Sequence, residues 1–256
     1  MWDPVQYGRY ADERGRPFHE LMARVAADRP GFVADLGCGD GSLTATLAER
    51  WPEASVLGVD SSEAMLADAA ALATSRLTFT AGRIEDWQPD RPVDVLVTNA
   101  ALHWVPDHRS QLPRLVDLLA PGGWLAVQMP GNADAPSHRL LTDLRRSARW
   151  KDRLGPAPDR WPDVAEPADY ARQLLGCGCR VDAWETTYLH LLTGPDPVLE
   201  WVRGSGLRPV LAQLTAADAA SFEADYGAAL RSAYPAEPHG TVLPFRRIFF
   251  VAQRGG

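Results

Sequence analysis

Three glycines and two carboxylates carry the chemistry most readily read from this chain. Val33-Ala34-Asp35-Leu36-Gly37-Cys38-Gly39-Asp40-Gly41 is a buried-strand pattern that breaks into a glycine turn, and Val56-Leu57-Gly58-Val59-Asp60 is a second such strand ending on a carboxylate. Glycine lets a backbone come close to a flat ligand where any Cβ would clash. Asp60 lies 21 positions after Gly39, at a strand end suited to accept hydrogen bonds from two vicinal ribose hydroxyls. The interval between them holds one helix and its turns, so the pair reads as a βαβ unit with a nucleoside-binding layout.

A dinucleotide fingerprint needs Gly-x-Gly-x-x-Gly. Gly37 and Gly39 supply the first two positions, but Ser42 stands at the third, and no basic residue sits in the turn to meet a pyrophosphate. An NAD dehydrogenase is therefore a poor reading. Asp-Leu-Gly-Cys-Gly-Asp-Gly instead resembles motif I of class I S-adenosylmethionine methyltransferases, whose ligand carries no phosphate. Val93–Asn99 and Leu118-Leu119-Ala120-Pro121-Gly122-Gly123-Trp124-Leu125-Ala126-Val127 resemble the fourth strand of that class and its Leu-x-Pro-Gly-Gly turn into the fifth. The resemblance implies an α/β fold, a doubly wound, Rossmann-like sheet of seven strands with a helical insertion in the C-terminal half. It implies S-adenosylmethionine as cofactor and S-adenosylhomocysteine as product.

The elements that must position these residues follow from the hydrophobic pattern. Strands are expected at 31–36, 54–60, 77–81, 93–99, 124–128, 180–192 and 245–252. Helices are expected at 42–50, stopped before Pro52, at 63–72, capped by Ser61 or Ser62, at 109–119, about 137–150, 167–175 and, with breaks at 204–209, 196–232. Phe18, Leu21, Met22 and Val25 fall on one face of an earlier helix, with Pro17 in its first turn. The expected organisation is an N-terminal helical arm or lid (1–30), a cofactor-binding core (31–130) and a C-terminal part (131–256). The last completes the sheet with strands at about 180–192 and 245–253 and adds a helical substrate cap at about 131–165 and 195–235. Residues 154–162 form a Pro-rich loop.

At 256 residues and 46% hydrophobic content, the chain suits one elaborated globular domain. Neither a membrane span nor a basic, apolar leader is visible. Three cysteines make no disulfide framework, and Cys177 and Cys179, with His190 distant, make no zinc site, so no metal and a cytoplasmic location are expected. A formal charge of −7 without a basic stripe argues against nucleic acid and membrane surfaces as partners. A small anionic substrate and a monomeric enzyme are the expectation.

Beyond the fold, the chain resembles trans-aconitate 2-methyltransferases nearly end to end. The resemblance rests on Trp2-x-Pro4-x-x-Tyr7, Arg14-x-Arg16-Pro17, the motif I turn and Gly58-Val59-Asp60-Ser61-Ser62-x-x-Met65-Leu66. It continues through Asn99-Ala100-x-Leu102-x-Trp104-x-Pro106-Asp107-His108 and Leu125-Ala126-Val127-Gln128-Met129-Pro130. The tail adds Trp184-x-Thr186-Thr187-Tyr188-x-His190, Trp201-Val202-x-x-x-Gly206-Leu207-Arg208-Pro209 and Phe-x-Arg-x-Phe around Arg247. Asp40 departs from the family's usual Pro, Arg83 from its frequent Asp, and Arg203 from its small residue.

This family implies transfer of a methyl group to a carboxylate of trans-aconitate or a similar small polycarboxylic acid, giving a monomethyl ester. An ordinary carboxyl titrates near ~4, so the acceptor is already ionised at neutral pH and no general base is required. Placement and desolvation are the expected sources of rate, with no catalytic dyad. The implied cofactor contacts are Asp35, Gly37, Cys38, Gly39, Asp60, Ser61, Met65, Ile84, Glu85, Asn99, Ala100 and Trp104. Asp35 either touches the cofactor or braces the glycine amides. The adenine amino group is read by Glu85, by Asp86 or by the backbone of Ile84. Asn99 uses its backbone carbonyl or simply ends the strand. Trp2 and Tyr7 form a lid or a surface arm.

Guanidinium forks meet carboxylates bidentately. Arg208 and Arg247 are the leading substrate-binding candidates, followed by Arg203, Arg16 and Arg246, with Tyr188 supplying a hydroxyl and Trp104 a wall; His103 is a further substrate-binding candidate, and a core or lid place is the alternative for His103 and Trp104. Arg246 and Arg247 are successive on a strand and face opposite sides, so one of them is a surface charge. The alternatives are an O- or C-methyltransferase of another small molecule, such as a natural product, and a non-catalytic S-adenosylmethionine-binding module. Asn99-Ala100-Ala101-Leu102 lacks the Asn-Pro-Pro-aromatic signature of nucleic-acid N-methylation.

Overall fold

Phe32–Leu36 (β1) is buried at every residue, as a central parallel strand covered on both faces must be. In the computed structural model, which describes residues 11–155 and 164–256, β1 is flanked on one side by β2 (Ser55–Asp60) and on the other by β4 (Val93–Asn99), both parallel to it. Adding β3 (Leu77–Ala81), β5 (Leu119–Pro130), β6 (Cys179–Leu192) and β7 (Thr241–Arg254) completes a seven-stranded sheet of order β3-β2-β1-β4-β5-β7-β6. β7 runs antiparallel to β5. The strand order reverses between β1 and β4, so the crevice beyond their C-terminal ends is the point where open α/β sheets take ligands.

The helices follow their patterns with instructive exceptions. α1 (Ala11–Met22) starts earlier than the apolar stripe suggests, and Pro17 lies inside it rather than in its first turn. The segment before Pro17 is polar and has no apolar face to reveal a helix. Phe18, Leu21, Met22 and Val25 are buried as expected. α2 (Ser42–Arg50) ends at Trp51, before Pro52. α3 (Glu63–Ala69) is capped by Ser62, whose hydroxyl accepts from Met65 N at 3.4 Å, while Ser61 is exposed. α4 (Gln111–Asp117) buries Leu112, Leu115 and Val116 against the sheet. α5 (Pro136–Arg146) stops short of Trp150, because Ser147 turns extended. α6 (Pro167–Gly176) precedes β6.

The expected break at 204–209 is instead a continuous helical path. α7 (Pro197–Val202) passes through a π turn at Arg203–Leu207 into α8 (Arg208–Leu211), where Pro209 occupies an N-terminal position that needs no N–H partner. α9 (Ala216–Ala233) follows.

Contacts divide the chain into two units. One comprises Asp12–Gly131, Val164–Thr186 and Arg247–Gly256 and holds the core of the sheet. The other, among the described residues, comprises 132–155 and 187–246. Its core is Trp150, Leu154, Trp201, Leu207, Phe222, Tyr226 and their neighbours, tied by Tyr226 Oη donating to Ser137 O at 2.8 Å and by the Trp150 indole N–H donating to Asp225 at 3.1 Å. Trp2, Tyr7 and most of the Pro-rich loop lie outside the described residues.

Candidate active site

The glycine turn is fixed by backbone bonds from the neighbouring strand. Gly37 N and Cys38 N both donate to Val59 O, at 2.7 and 3.1 Å. Gly39 N donates to Asp60 Oδ2 at 2.9 Å, and Ser62 N to Asp60 Oδ1 at 2.8 Å. Asp60 thus ties the end of β2 to the turn, and a carboxylate with about four acceptor sites keeps capacity for further donors. Gly37, Gly39 and Gly41 all take positive φ (82°, 58° and 77°), which Cβ-bearing residues seldom adopt. A Cβ on Gly37 would stand 2.2 Å from the Ala101 Cβ, whereas one on Gly39 would meet nothing within 4 Å. Gly37 is closed by the protein; Gly39 faces open space. Asp40, the departure from the family's Pro, folds back to accept from Ser42 N and Oγ at 3.0 and 2.7 Å. That satisfies an amide at the start of α2, where Gly41 offers no side-chain cap.

Asp35 does not brace the glycine amides; Val59 and Asp60 do. It accepts instead from Thr44 Oγ1 at 2.7 Å, and its second oxygen is buried without a hydrogen-bond partner. Burial pushes its carboxyl up to about 6, the Thr44 hydroxyl pulls it down and the Asp60 charge adds to the rise. A carboxyl raised in the native chain above its unfolded value, ~3.9, leaves stability intact below that value and removes it as pH climbs to the folded one. For Asp35 the loss runs from about pH 4 to pH 6 and is of order 3 kcal/mol. Asp35→Asn is therefore expected to stabilise the ligand-free protein at pH 7.5 and to leave it unchanged near pH 4. Urea unfolding at both values checks this, and equal stability of the two proteins at pH 7.5 would contradict it.

The adenine-reading candidates are already engaged. Glu85 pairs with Arg83 at 2.5 Å, and Asp86 stands 3.6 Å from the same guanidinium. The Ile84 carbonyl accepts from Arg114, which also donates to Trp87 O at 2.9 Å. Ile84 does reach the turn with its side chain, 3.9 Å from a Cβ on Gly37. Met65 is half-buried at the start of α3. Burial raises the Cys38 thiol above its ordinary range, so it is an inert wall.

Beyond β4 the chain turns sharply. Ala100 takes φ 53°, unusual for a residue with a Cβ, and its N–H donates to Gln128 O at 2.9 Å. A short 3-10 turn, Leu102–Trp104, follows. It leaves Trp104 56% exposed and His103 buried. The His103 imidazole is pushed down to about 3 by burial, then by Arg247 and His108, so it is neutral at neutral pH and a poor base. Asn99 pairs in register with Gln128 of β5, and Gln128 with Phe249 of β7. Residues directly opposite share a face, and so do residues two apart on a strand. Asn99, Gln128 and Arg247 therefore lie on one face, at the C-terminal ends of β4 and β5. Arg247 is the buried member of its pair and Arg246 the half-buried one, while Asn132 holds the Arg246 backbone from both its N–H and its carbonyl, at 2.8 and 2.9 Å. Asn99 Oδ1, His103 Nδ1 and Gln128 Nε2 are buried with no hydrogen-bond partner. In the sequence Gln128 carries a single signal, an amide inside the apolar run Trp124–Met129.

The other substrate candidates lie in the second unit. Arg203 is committed to Glu200 and, at 2.8 Å, to Glu223. Arg208 is exposed at the start of α8. Tyr188 is buried in an aromatic stack with His190, which in turn packs on Trp201 at 4.6 Å. In the first unit, Arg16 pairs with Glu20 at 2.8 Å on the surface of α1. No helix among the described residues is long and apolar enough to cross a membrane.

This sheet order, with a glycine turn after β1 and an acidic end to β2, defines a class I methyltransferase. A methyltransferase-domain family model matches residues 33–123. The phosphoethanolamine N-methyltransferase 2 of Haemonchus contortus, solved with S-adenosylmethionine, shares the fold at a TM-score of 0.58 and 15% identity over 94% of this chain and 53% of that one. A trans-aconitate 2-methyltransferase of Streptomyces avermitilis is 55% identical over 99% of this chain and 97% of its own length. That of Streptomyces coelicolor is 51% identical over 99% and 86%. The chain belongs to the trans-aconitate 2-methyltransferase family.

Proposed function

We propose that this chain transfers the methyl group of S-adenosylmethionine to a carboxylate oxygen of trans-aconitate, releasing the monomethyl ester and S-adenosylhomocysteine. The observation that carries the substrate half is the buried guanidinium of Arg247 on the ligand edge of the sheet, facing the side of Gln128. A buried positive charge at that edge suits an acid far better than a phenol or an amine.

The residues of the turn fit the donor. The open space over Gly39 admits a flat ligand against the backbone. The unpartnered oxygen of Asp35 is a buried acceptor suited to an ammonium group, and Asp60 has acceptor capacity left for ribose hydroxyls. Met65 and the Ile84 side chain offer apolar surface for a purine, with the Ile84 carbonyl occupied by Arg114. When bound, S-adenosylmethionine supplies a methyl group activated by a sulfonium. The chain's own residues then hold the acid, exclude water and fix its approach. A neutral His103 and an ionised acceptor leave no proton to move. The free thiols at Cys38, Cys177 and Cys179 support a reducing, cytoplasmic setting.

Incubation with S-adenosylmethionine and trans-aconitate, followed by mass spectrometry, is expected to show gain of one methyl group per acid. Unaltered acid beside efficient turnover of a neutral phenol would contradict the proposal.

A further inference from the structure

We propose that Gln128, together with Arg247 and His103, forms an anchoring seat for a carboxylate that is held rather than methylated, and so restricts the enzyme to acids with two or more carboxylates. The inference rests on the reading of this chain as a carboxyl methyltransferase.

Gln128 is fully buried on β5. Its Oε1 lies 3.5 Å from Arg247 Nη1, and since a guanidinium only donates, the oxygen must be the atom turned toward it. The carboxamide nitrogen is thereby directed elsewhere, and its two N–H donors meet no acceptor. An unmet buried donor is destabilising, and in a native chain it calls for an explanation. A ligand acceptor at the end of the sheet is that explanation. His103 adds a second unpartnered polar atom, Nδ1, close enough to Arg247 to feel its charge. A guanidinium, a carboxamide N–H pair and a neutral imidazole match one carboxylate.

Such a carboxylate has its lone pairs occupied by donors and its charge neutralised, which makes it a poor nucleophile toward a methyl group. The seat therefore anchors one end of the acid and leaves another carboxylate to react. A monocarboxylic acid cannot fill both places.

The test compares wild type with Gln128→Met, which keeps the shape and removes the N–H donors together with the Oε1 acceptor of Arg247, using trans-aconitate and crotonate as the tri- and monocarboxylic acids. Gln128→Met is expected to raise KM for trans-aconitate roughly 10- to 100-fold, as loss of a hydrogen bond to a charged group should. It should leave kcat for trans-aconitate nearly unchanged, while crotonate gives no methyl ester with either protein; the unfolding midpoint of the ligand-free variant falls, because the buried Arg247 loses the Oε1 acceptor 3.5 Å away. A merely structural amide would lower the midpoint in the same way but leave KM for trans-aconitate within about threefold of wild type, and methylation of crotonate by wild type as efficient as that of trans-aconitate would overturn the restriction to acids with two or more carboxylates. In wild type, independent of any variant, the Gln128 side-chain amide signals should shift in nitrogen-15 spectra when trans-aconitate is added to the S-adenosylhomocysteine complex. An unchanged KM, or amide signals that do not move, overturns the role of Gln128 while leaving the methyltransferase reading intact. Wild type that methylates no polycarboxylic acid overturns both.

Discussion

Gly37→Ala is expected to cripple both folding and cofactor binding, whereas Gly39→Ala should cost the fold only its backbone strain and abolish cofactor binding. The two glycines look equivalent in sequence, and both take positive φ. Forcing an alanine into that region costs about 1–2 kcal/mol at either site. At Gly37 the new methyl also stands 2.2 Å from the Ala101 Cβ, and overpacking of that kind adds about 1–3 kcal/mol. The turn after β4, already strained at Ala100, would have to move. At Gly39 the new methyl meets no protein atom within 4 Å and occupies the space offered to the ligand. Thermal unfolding should therefore separate the variants by several degrees, while calorimetric titration with S-adenosylhomocysteine should show weak binding for both. Pairing Gly37→Ala with Ala101→Gly should recover the steric part of the loss. Similar unfolding midpoints for the two single variants would contradict this division of roles.

Arg247→Met is expected to lower kcat/KM for trans-aconitate roughly 100- to 1000-fold, the effect of removing a charged, bidentate donor from a buried site. Binding of S-adenosylhomocysteine should hold within about threefold, since the cofactor contacts proposed above belong to the turn and to Asp60. The fold should survive, because an apolar side chain of similar length replaces a buried charge. Steady-state kinetics beside calorimetry decide the matter. A kcat/KM within threefold of wild type would place the acid elsewhere.

The cofactor half of the site was legible because it is local. Asp35 to Gly41 and Asp60 lie on two consecutive strands, and their spacing alone implies the crossover that brings them together. Even there the partners were hidden: nothing in the sequence says that Asp60 ties down Gly39, that Asp35 answers to Thr44, or that Arg114 takes the Ile84 carbonyl. These are side-chain choices made among residues 9 to 30 positions apart. The proposed substrate half is less legible because it is assembled by sheet register. Gln128 and Arg247 are 119 positions apart and meet only because β7 inserts antiparallel beside β5. Arg203 illustrates the opposite error. A basic residue in a distinctive motif suggests a ligand contact, yet Glu200 and Glu223 already neutralise it. Pro17 shows that a polar first turn conceals a helix start, since periodicity can be read only where an apolar face exists.

The claim that matters most is transfer of a methyl group to oxygen of an anchored acid. Its most direct measurement is the position of the label when S-adenosylmethionine carrying a carbon-13 methyl group reacts with trans-aconitate. The account predicts a single labelled methyl-ester resonance and one label per acid. A label on carbon, or none on the acid at all, would contradict it.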